Sequence, residues 1–339
     1  MEYVIMLWPH ANSRYQQASA HLAQSELELI LEKAGSKPFL VSRERQGGLE
    51  WLRFESQALD PAQLEMVGDL SLLYLLAERR PDGSLMPVMA RASGALGDDL
   101  AGVLKYKGKT NELFTQMLIN AALYSSDFYR NRERLSFCDP LCGRGTGLYQ
   151  AANRRWDALG VDMDKNDINE AQQYFKRYLE YHKIKHQFAQ RSLTFQGKQC
   201  ATEKSFEYYL SAADAKQKKS ARLSMILADS SQMERYLKPE RFHIMAADLP
   251  YGVQHAPGQR GGMASFEQML KGALKQWLKV LKPGGALALA FNTYTLRRAA
   301  LSEWMAQAGF EVMTGGAYEG FEHWVEQAVN RDVLVGKRP

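Results

Sequence analysis

Apolar and polar residues follow two different periods along this chain, and the change of period divides it. Tyr3–Leu7 is a short apolar run that predicts a strand. From Ser19 to Ala34, Leu22, Leu27, Leu29, Ile30 and Leu31 recur at helical spacing, and Gly35 supplies a stop. Pro38–Val41, Leu49–Phe54 and Leu70–Leu76 predict further strands, and Pro61–Met66 a short helix. Arg80-Pro81-Asp82-Gly83 is turn chemistry. The first 95 residues or so therefore read as a small α+β unit. Gly94–Lys109, rich in glycine and lysine, reads as a linker, and Thr110–Ser125 as a helix with Leu113, Met117, Leu118 and Ala121 on one face.

From Leu135 onward strands and helices alternate. The expected strands are Leu135–Cys138, Ala158–Val161, Ser224–Ala228, Phe242–Ala247 and Ala286–Phe291. The helices between them run through Trp156, over Ile168–His182, over Ser265–Leu281 and over Leu296–Ala308. Phe310–Met313 and Arg331–Val335 can close the sheet as an antiparallel pair. Repeated β-α-β units imply a mainly parallel sheet with helices on both faces, and ligands bind such sheets at the carboxyl ends of the strands. Lys185–Leu223 interrupts the rhythm, with segment 203–213 read as a short helix inside it.

A length of 339 residues with 45% hydrophobic side chains suits about two domains. The boundaries read as 1–95, a linker and leading helix over 96–134, and 135–339 with an insertion at 183–222. No uninterrupted apolar run reaches membrane-spanning length, and the N-terminus has neither a basic n-region nor a cleavage site. Three cysteines, Cys138, Cys142 and Cys200, form no disulfide framework. These features predict a cytoplasmic protein with no membrane partner. No metal is expected: Cys138 and Cys142 lack a second pair, and His182 and His186, at i, i+4, lack a third ligand. They read as decoration on an exposed helix end. Charge is uneven. Lys183–Arg222 holds nine Lys/Arg against three Asp/Glu, whereas residues 1–95 hold nine against twelve. A nucleic acid would be drawn to the middle of the chain, with Lys216, Lys218 and Lys219 as candidate phosphate contacts, unless the stretch is simply a solvated loop.

Four strand ends carry chemistry. After the first, Asp139-Pro-Leu-Cys-Gly143-Arg-Gly145-Thr-Gly147 turns sharply and opens a helix with free N–H groups. A dinucleotide loop would look similar, but an anionic pyrophosphate would be repelled by Asp139, whereas a cationic amino-acid group would be attracted. After the second, Asp162, with Met163 beside it, is placed to accept from ribose hydroxyls or to cap the next helix, a task Asp164 and Asp167 suit better. After the third, Asp229 can accept from an adenine amino group or cap a helix together with Ser230 and Ser231. After the fourth comes Asp248-Leu249-Pro250-Tyr251-Gly252. The lone pair of an amide-like amine is delocalised, so methylating it requires acceptors aimed at its N–H bonds. The Asp248 carboxylate and the Leu249 carbonyl can be those acceptors, Pro250 stiffens the turn, and Tyr251 offers a face for a planar base. The loop behind it, 252–262, brings His255 and Arg260 as candidate substrate contacts. Leu281-Lys282-Pro283-Gly284-Gly285 is a structural turn.

Taken together these residues resemble class I S-adenosylmethionine-dependent methyltransferases, and within them the THUMP-associated RNA methyltransferases, which include tRNA guanosine N2-methyltransferases. The D-P-x-C-G-x-G-T loop of that branch is matched by Asp139, Pro140, Cys142, Gly143, Gly145 and Thr146, and its D/N-x-P-Y/F-G motif by Asp248, Pro250, Tyr251 and Gly252. Leu22–Leu31 is similar to the ferredoxin-like start of the branch. Leu249 stands where proline is often found. The resemblance implies an α/β, Rossmann-like sheet, mostly parallel with an antiparallel last strand, preceded by a small ferredoxin-like domain. It implies S-adenosyl-L-methionine held by the glycine loop, Gly147, Asp162, Met163, Asp229 and Ser230. It further implies an RNA acceptor, tRNA first, at Asp248–Tyr251. About 100 residues precede the methyltransferase part, short for a full THUMP domain, so the basic 183–222 insertion is the substitute RNA-docking candidate. DNA adenine N6, cytosine N4 or a protein glutamine stay open as acceptors. A non-catalytic cofactor- and RNA-binding factor would not need the intact Asp248-x-Pro-Tyr.

Overall fold

The computed structural model describes residues 1–9, 13–35, 40–103, 109–131, 133–250 and 263–339. It divides into two compact units: 1–93 with 292–294 and 314–333, and 94–291 with 295–313 and 334–339.

The first unit begins β1 (Glu2–Leu7), α1 (Ser13–Lys33), β2 (Ser42–Gln46), β3 (Leu49–Glu55), α2 (Pro61–Gly68), β4 (Leu73–Arg79) and β5 (Leu85–Ala90). Its strands pair antiparallel in the order β2-β3-β1-β4-β5. The βαββαβ succession with β1 and β3 central is the ferredoxin-like arrangement. α2 starts with a full capping box: Asp60 accepts from the Gln63 amide at 2.8 Å and the Gln63 side chain accepts from the Asp60 amide at 3.0 Å. Two expectations change. The strand expected at Pro38–Val41 lies at Ser42–Gln46, with 38 and 39 outside the described residues. This edge strand is polar and half-exposed, so no apolar alternation marks it. β5 is an edge strand too, and its apolar Leu85, Met86 and Val88 are all exposed, so no alternation marks it.

The second unit continues α3 (Asp99–Gly102), α4 (Glu112–Ser125), β6 (Ser136–Asp139), α5 (Thr146–Asn153), β7 (Asp157–Asp162), α6 (Lys165–Tyr181), β8 (His186–Phe195), β9 (Lys198–Tyr208), α7 (Ala212–Lys216), β10 (Ala221–Leu227), β11 (Phe242–Asp248), α8 (Met263–Val280), β12 (Leu281–Asn292), α9 (Arg298–Ala308) and β13 (Glu311–Val312). β14 (His323–Glu326) and β15 (Val329–Lys337) follow. The large sheet has the order β13-β15-β12-β11-β6-β7-β10-β9-β8, with β14 on β15. Its centre, β10-β7-β6-β11-β12, is parallel, and β13 pairs antiparallel with β15 as the sequence predicts. These strands are near-continuous apolar runs because helices cover both faces. Trp277 of α8, with Leu270, Ala273 and Leu274, packs into the core with Met245, Leu287 and Leu289. The Lys282–Gly285 turn lies within β12 as a register shift, with Gly284 at φ +75.

Segment 203–213 is strand through Tyr208, and only Ala212 and Ala213 enter a short helix, α7. β8 and β9 form a long antiparallel hairpin, and β9 adds it antiparallel to β10. His186 opens β8 instead of extending α6. The reason is chemical. The inward face of this hairpin carries Glu203, 1% exposed, where an apolar residue would have signalled a strand. Arg191 and Arg222 neutralise it, Arg222 at 3.1 Å. Charge, not hydrophobicity, fills that position.

Candidate active site

The strand order reverses between β6 and β11: the chain runs outward through β7 and β10, then returns to the other side of β6. A crevice forms at the carboxyl ends at such a switch point. Cys138 is in register with Met245, so Asp139 and Asp248 end adjacent strands there. Asp162 ends β7, and Asp229 follows β10.

Each carboxylate is built in by its backbone. Asp139 is buried at 8% exposure, and its Oδ1 accepts from the Leu141 amide at 3.1 Å. A Cβ on Gly147 would lie 2.7 Å from its Oδ2, so only glycine leaves the cradle in which this carboxylate sits. Gly143 and Gly145 hold φ of +47 and +90, the left-handed turn that swings the chain into α5. The Gly143 amide donates to Asp162 Oδ2 and the Asp164 amide to Asp162 Oδ1, both at 2.8 Å. Asp164 caps α6, accepting from Asn166 and Asp167, so Asp162 is left to the crevice. Asp167 does no capping: with Glu170 it binds Arg144, at 2.9 Å for Asp167. Cys142 packs where a Cβ on Gly160 would lie 2.5 Å from its Sγ. Burial pushes the Cys138 and Cys142 thiols up, which keeps them protonated packing residues. Pro140 and Thr146 are buried beside them.

Burial pushes the Asp139 carboxyl up to about 8, and the charges of Asp162 and Asp248 add to the effect against the Leu141 hydrogen bond. Asp162 is also raised, first by burial, against its two backbone donors. That Asp139 feels both other carboxylates places the three in one electrostatic neighbourhood. Asp139 therefore keeps its proton near neutral pH, and a cationic ligand beside it would favour the charged form. The buried Asp139 in its glycine cradle has the chemistry to receive a cationic ligand group.

Asp229 accepts from the Ser231 amide at 2.9 Å, the Ser231 hydroxyl at 2.7 Å and Gln232 Nε2 at 2.8 Å, capping the 3-10 turn Ser230–Arg235. Ser230 is buried, and its carbonyl accepts from Trp277 Nε1 at 3.2 Å. It therefore joins the turn to α8. Met163 is 72% exposed. At the fourth strand end, Asp248 Oδ2 accepts from the Thr110 hydroxyl at 2.6 Å. The Leu249 amide donates to the Ala290 carbonyl at 2.9 Å, its side chain is buried, and Pro250 is exposed. Tyr251, His255 and Arg260 lie outside the described residues. Lys216, Lys218 and Lys219 are exposed just before β10, at the end of that strand opposite Asp229. At about 3.3 Å per residue β10 spans roughly 20 Å.

A glycine turn after the first strand, acidic residues ending the next strands and an Asp-x-Pro turn after the fourth thus share one crevice of a doubly wound sheet closed by an antiparallel pair. This is a doubly wound, Rossmann-like α/β sheet with its ligand-binding end marked by acidic residues.

Sequence comparison adds nothing: no family profile matches the chain, and no curated protein matches it in sequence. Several solved structures align with the chain at low identity. TrmN from Thermus thermophilus aligns over 100% of both chains at 14% identity and a TM-score of 0.46. The rRNA methyltransferase aviRa from Streptomyces viridochromogenes covers 72% of this chain and 91% of its own, at 15% identity and 0.41. A TehB-like SAM-dependent methyltransferase from Corynebacterium glutamicum covers 61% and 82%, at 18% identity and 0.35. Among the described residues no helix is long and apolar enough to cross a membrane, and no group of three metal-ligating side chains gathers.

Thr110 and Arg144 escaped the sequence reading. Thr110 reads as the start of a helix that in fact begins at Glu112, and its partner is 138 residues away.

Proposed function

We propose that the protein is an S-adenosylmethionine-dependent N-methyltransferase acting on an exocyclic amine of RNA, guanosine N2 of tRNA first. The observation that carries this reading is the placement of Asp139 and Asp248 at the carboxyl ends of adjacent strands at the switch point. Bound S-adenosyl-L-methionine supplies an electrophilic methyl on a cationic sulfur. The chain does the rest. Asp139 and the N-terminus of α5 hold the amino-acid end, and Asp162 accepts from the ribose hydroxyls. Asp248 and the Leu249 carbonyl accept from the two N–H bonds of the amine, which orients its lone pair outward. As the nitrogen gains positive charge, the Asp248 carboxylate stabilises it and takes up the proton it loses. Thr110 holds that carboxylate by its Oδ2.

The net positive stretch 183–222 supports a polyanionic acceptor. Lys216, Lys218 and Lys219 would contact phosphates away from the reacting base. Incubation with methyl-labelled cofactor and bulk tRNA or rRNA, followed by nucleoside mass spectrometry, tests the proposal. N2-methylguanosine in tRNA is the expected product. Label in DNA or in a protein glutamine would move the acceptor, and cofactor binding without any transfer would make the chain a non-catalytic factor.

A further inference from the structure

The β8–β9 hairpin carries the sheet beyond its own edge on the side of the crevice. Thr202 is in register with Leu227, two residues before Asp229, and β9 starts four residues earlier at Lys198. At about 3.3 Å per residue, the hairpin tip overhangs that strand end by roughly 13 Å. The tip is stiff. Gln196 and Gly197 hold φ of +50 and +77, the two left-handed positions of a tight two-residue hairpin turn.

Three side chains converge there. Phe195 is 39% exposed at the last position of β8, paired with the exposed Lys198. The Arg235 guanidinium lies 5.8 Å from the Phe195 ring centroid. Arg235 belongs to the 3-10 turn that Asp229 caps, and Cys200 Sγ of the hairpin lies 3.7 Å from its carbonyl and 3.4 Å from that of Leu193. Arg235 makes no ion pair with a described residue, and the neighbouring Glu234 is held by Lys279 at 2.7 Å. Thr194–Gln199 contains no acidic residue. An exposed ring backed by a guanidinium with no ion-pair partner among the described residues, and followed by a lysine, matches one nucleotide: a base stacks on the ring while the cations meet its phosphate.

We propose that Phe195, Arg235 and Lys198 form a stacking step for an unpaired RNA nucleotide flanking the one that enters the crevice. The proposal rests on the RNA-methylating reading above. The step fixes where the strand leaves the site, and so contributes to which nucleotide is presented.

The test is equilibrium binding of fluorescently labelled bulk tRNA to the full chain across a salt series, with cofactor affinity and melting temperature measured in parallel. Phe195→Leu keeps apolar volume and removes the aromatic face. It should weaken tRNA binding about 5- to 100-fold with cofactor affinity unchanged, and Phe195→Trp should restore it. Arg235→Gln and Lys198→Gln should each lower the slope of log affinity against log salt by about one. Wild-type affinity in Phe195→Leu, or a Phe195→Trp variant as weak as Phe195→Leu, overturns the proposal and leaves the enzymatic reading intact. A wild-type protein that binds tRNA through Phe195 but transfers no methyl to it overturns the enzymatic reading instead. A wild-type protein with no affinity for tRNA overturns both.

Discussion

Thr110 donates its hydroxyl proton to Oδ2 of Asp248 at 2.6 Å, joining the segment ahead of α4 to the carboxylate that ends β11. Asn111, the next residue, caps α4 by accepting from the Leu113 and Phe114 amides at 2.8 and 3.2 Å. The Thr110 backbone is thus fixed by a helix that is itself largely buried. A rigid donor sets the plane of the carboxylate, and a misplaced acceptor loses much of its value in a transition state. Thr110→Val should therefore lower kcat on the order of tenfold, with cofactor affinity unchanged. Thr110→Ser, which keeps the hydroxyl, should recover most of the rate. If valine and serine variants turn over equally well, the hydrogen bond has no part in positioning Asp248.

Asp248 itself should be indispensable. Asparagine at 248 keeps the shape and one acceptor oxygen but cannot take a proton or oppose positive charge on nitrogen. Asp248→Asn should reduce single-turnover methyl transfer about 100- to 1000-fold, and Asp248→Ala at least as much. Neither should change cofactor affinity more than a few fold, since the cofactor contacts are assigned to the ends of β6, β7 and β10. An alanine variant of undiminished rate would remove Asp248 from the mechanism.

Asp139 gives a pH signature. Burial, reinforced by Asp162 and Asp248, pushes its carboxyl to about 8, against 3.8 as the ordinary value. The folded chain thus keeps a proton that the unfolded chain releases. The group's contribution to stability is complete below about pH 4 and is lost as pH rises through about 8. Asp139→Asn has no such proton to lose. Without ligand it should melt above the wild type near pH 8, and the gap should close toward pH 4. Each pKa unit realised is worth about 1.4 kcal/mol, on the order of 3 °C in Tm. The same variant should bind cofactor more weakly, because a cation draws Asp139 into its charged form. Melting curves across this range, with and without cofactor, measure both effects. A ligand-free variant less stable than wild type near pH 8 would contradict the assignment.

What could be read from the sequence follows from what is buried. The central strands are covered by helices on both faces, so Phe242–Ala247 and Ala286–Phe291 appear as continuous apolar runs. Asp139, Asp162 and Asp248 were legible because each ends such a run. The β8–β9 hairpin was not, since its buried face holds Glu203 with two arginines and its outer strand is polar. Its tip, with Gln196-Gly197, carries the one local hairpin signal in the segment. Asp229 stayed ambiguous for a physical reason: accepting from backbone amides and accepting from a ligand call for the same carboxylate.

That ambiguity can be separated experimentally. Asp229 already accepts three protein hydrogen bonds, two through Oδ1 and one, from Gln232, through Oδ2. Asparagine is as good a cap as aspartate, because its carbonyl oxygen can still take the Ser231 amide. It loses the second acceptor, replaced by an NH2 donor that the Gln232 side chain can meet by turning its own oxygen toward it. If Asp229 only caps, Asp229→Asn should be neutral in stability and in cofactor affinity, while Asp229→Ala should cost about 1 kcal/mol in stability alone. If Asp229 also receives the adenine amino group, as its place after β10 leads us to expect, Asp229→Asn should keep the wild-type Tm yet bind cofactor about tenfold more weakly. The donor it introduces would face the amino group it must receive. Calorimetric titration with cofactor, beside thermal melts of both variants, distinguishes the two cases. Equal cofactor affinity in Asp229→Asn and wild type would confine Asp229 to the cap.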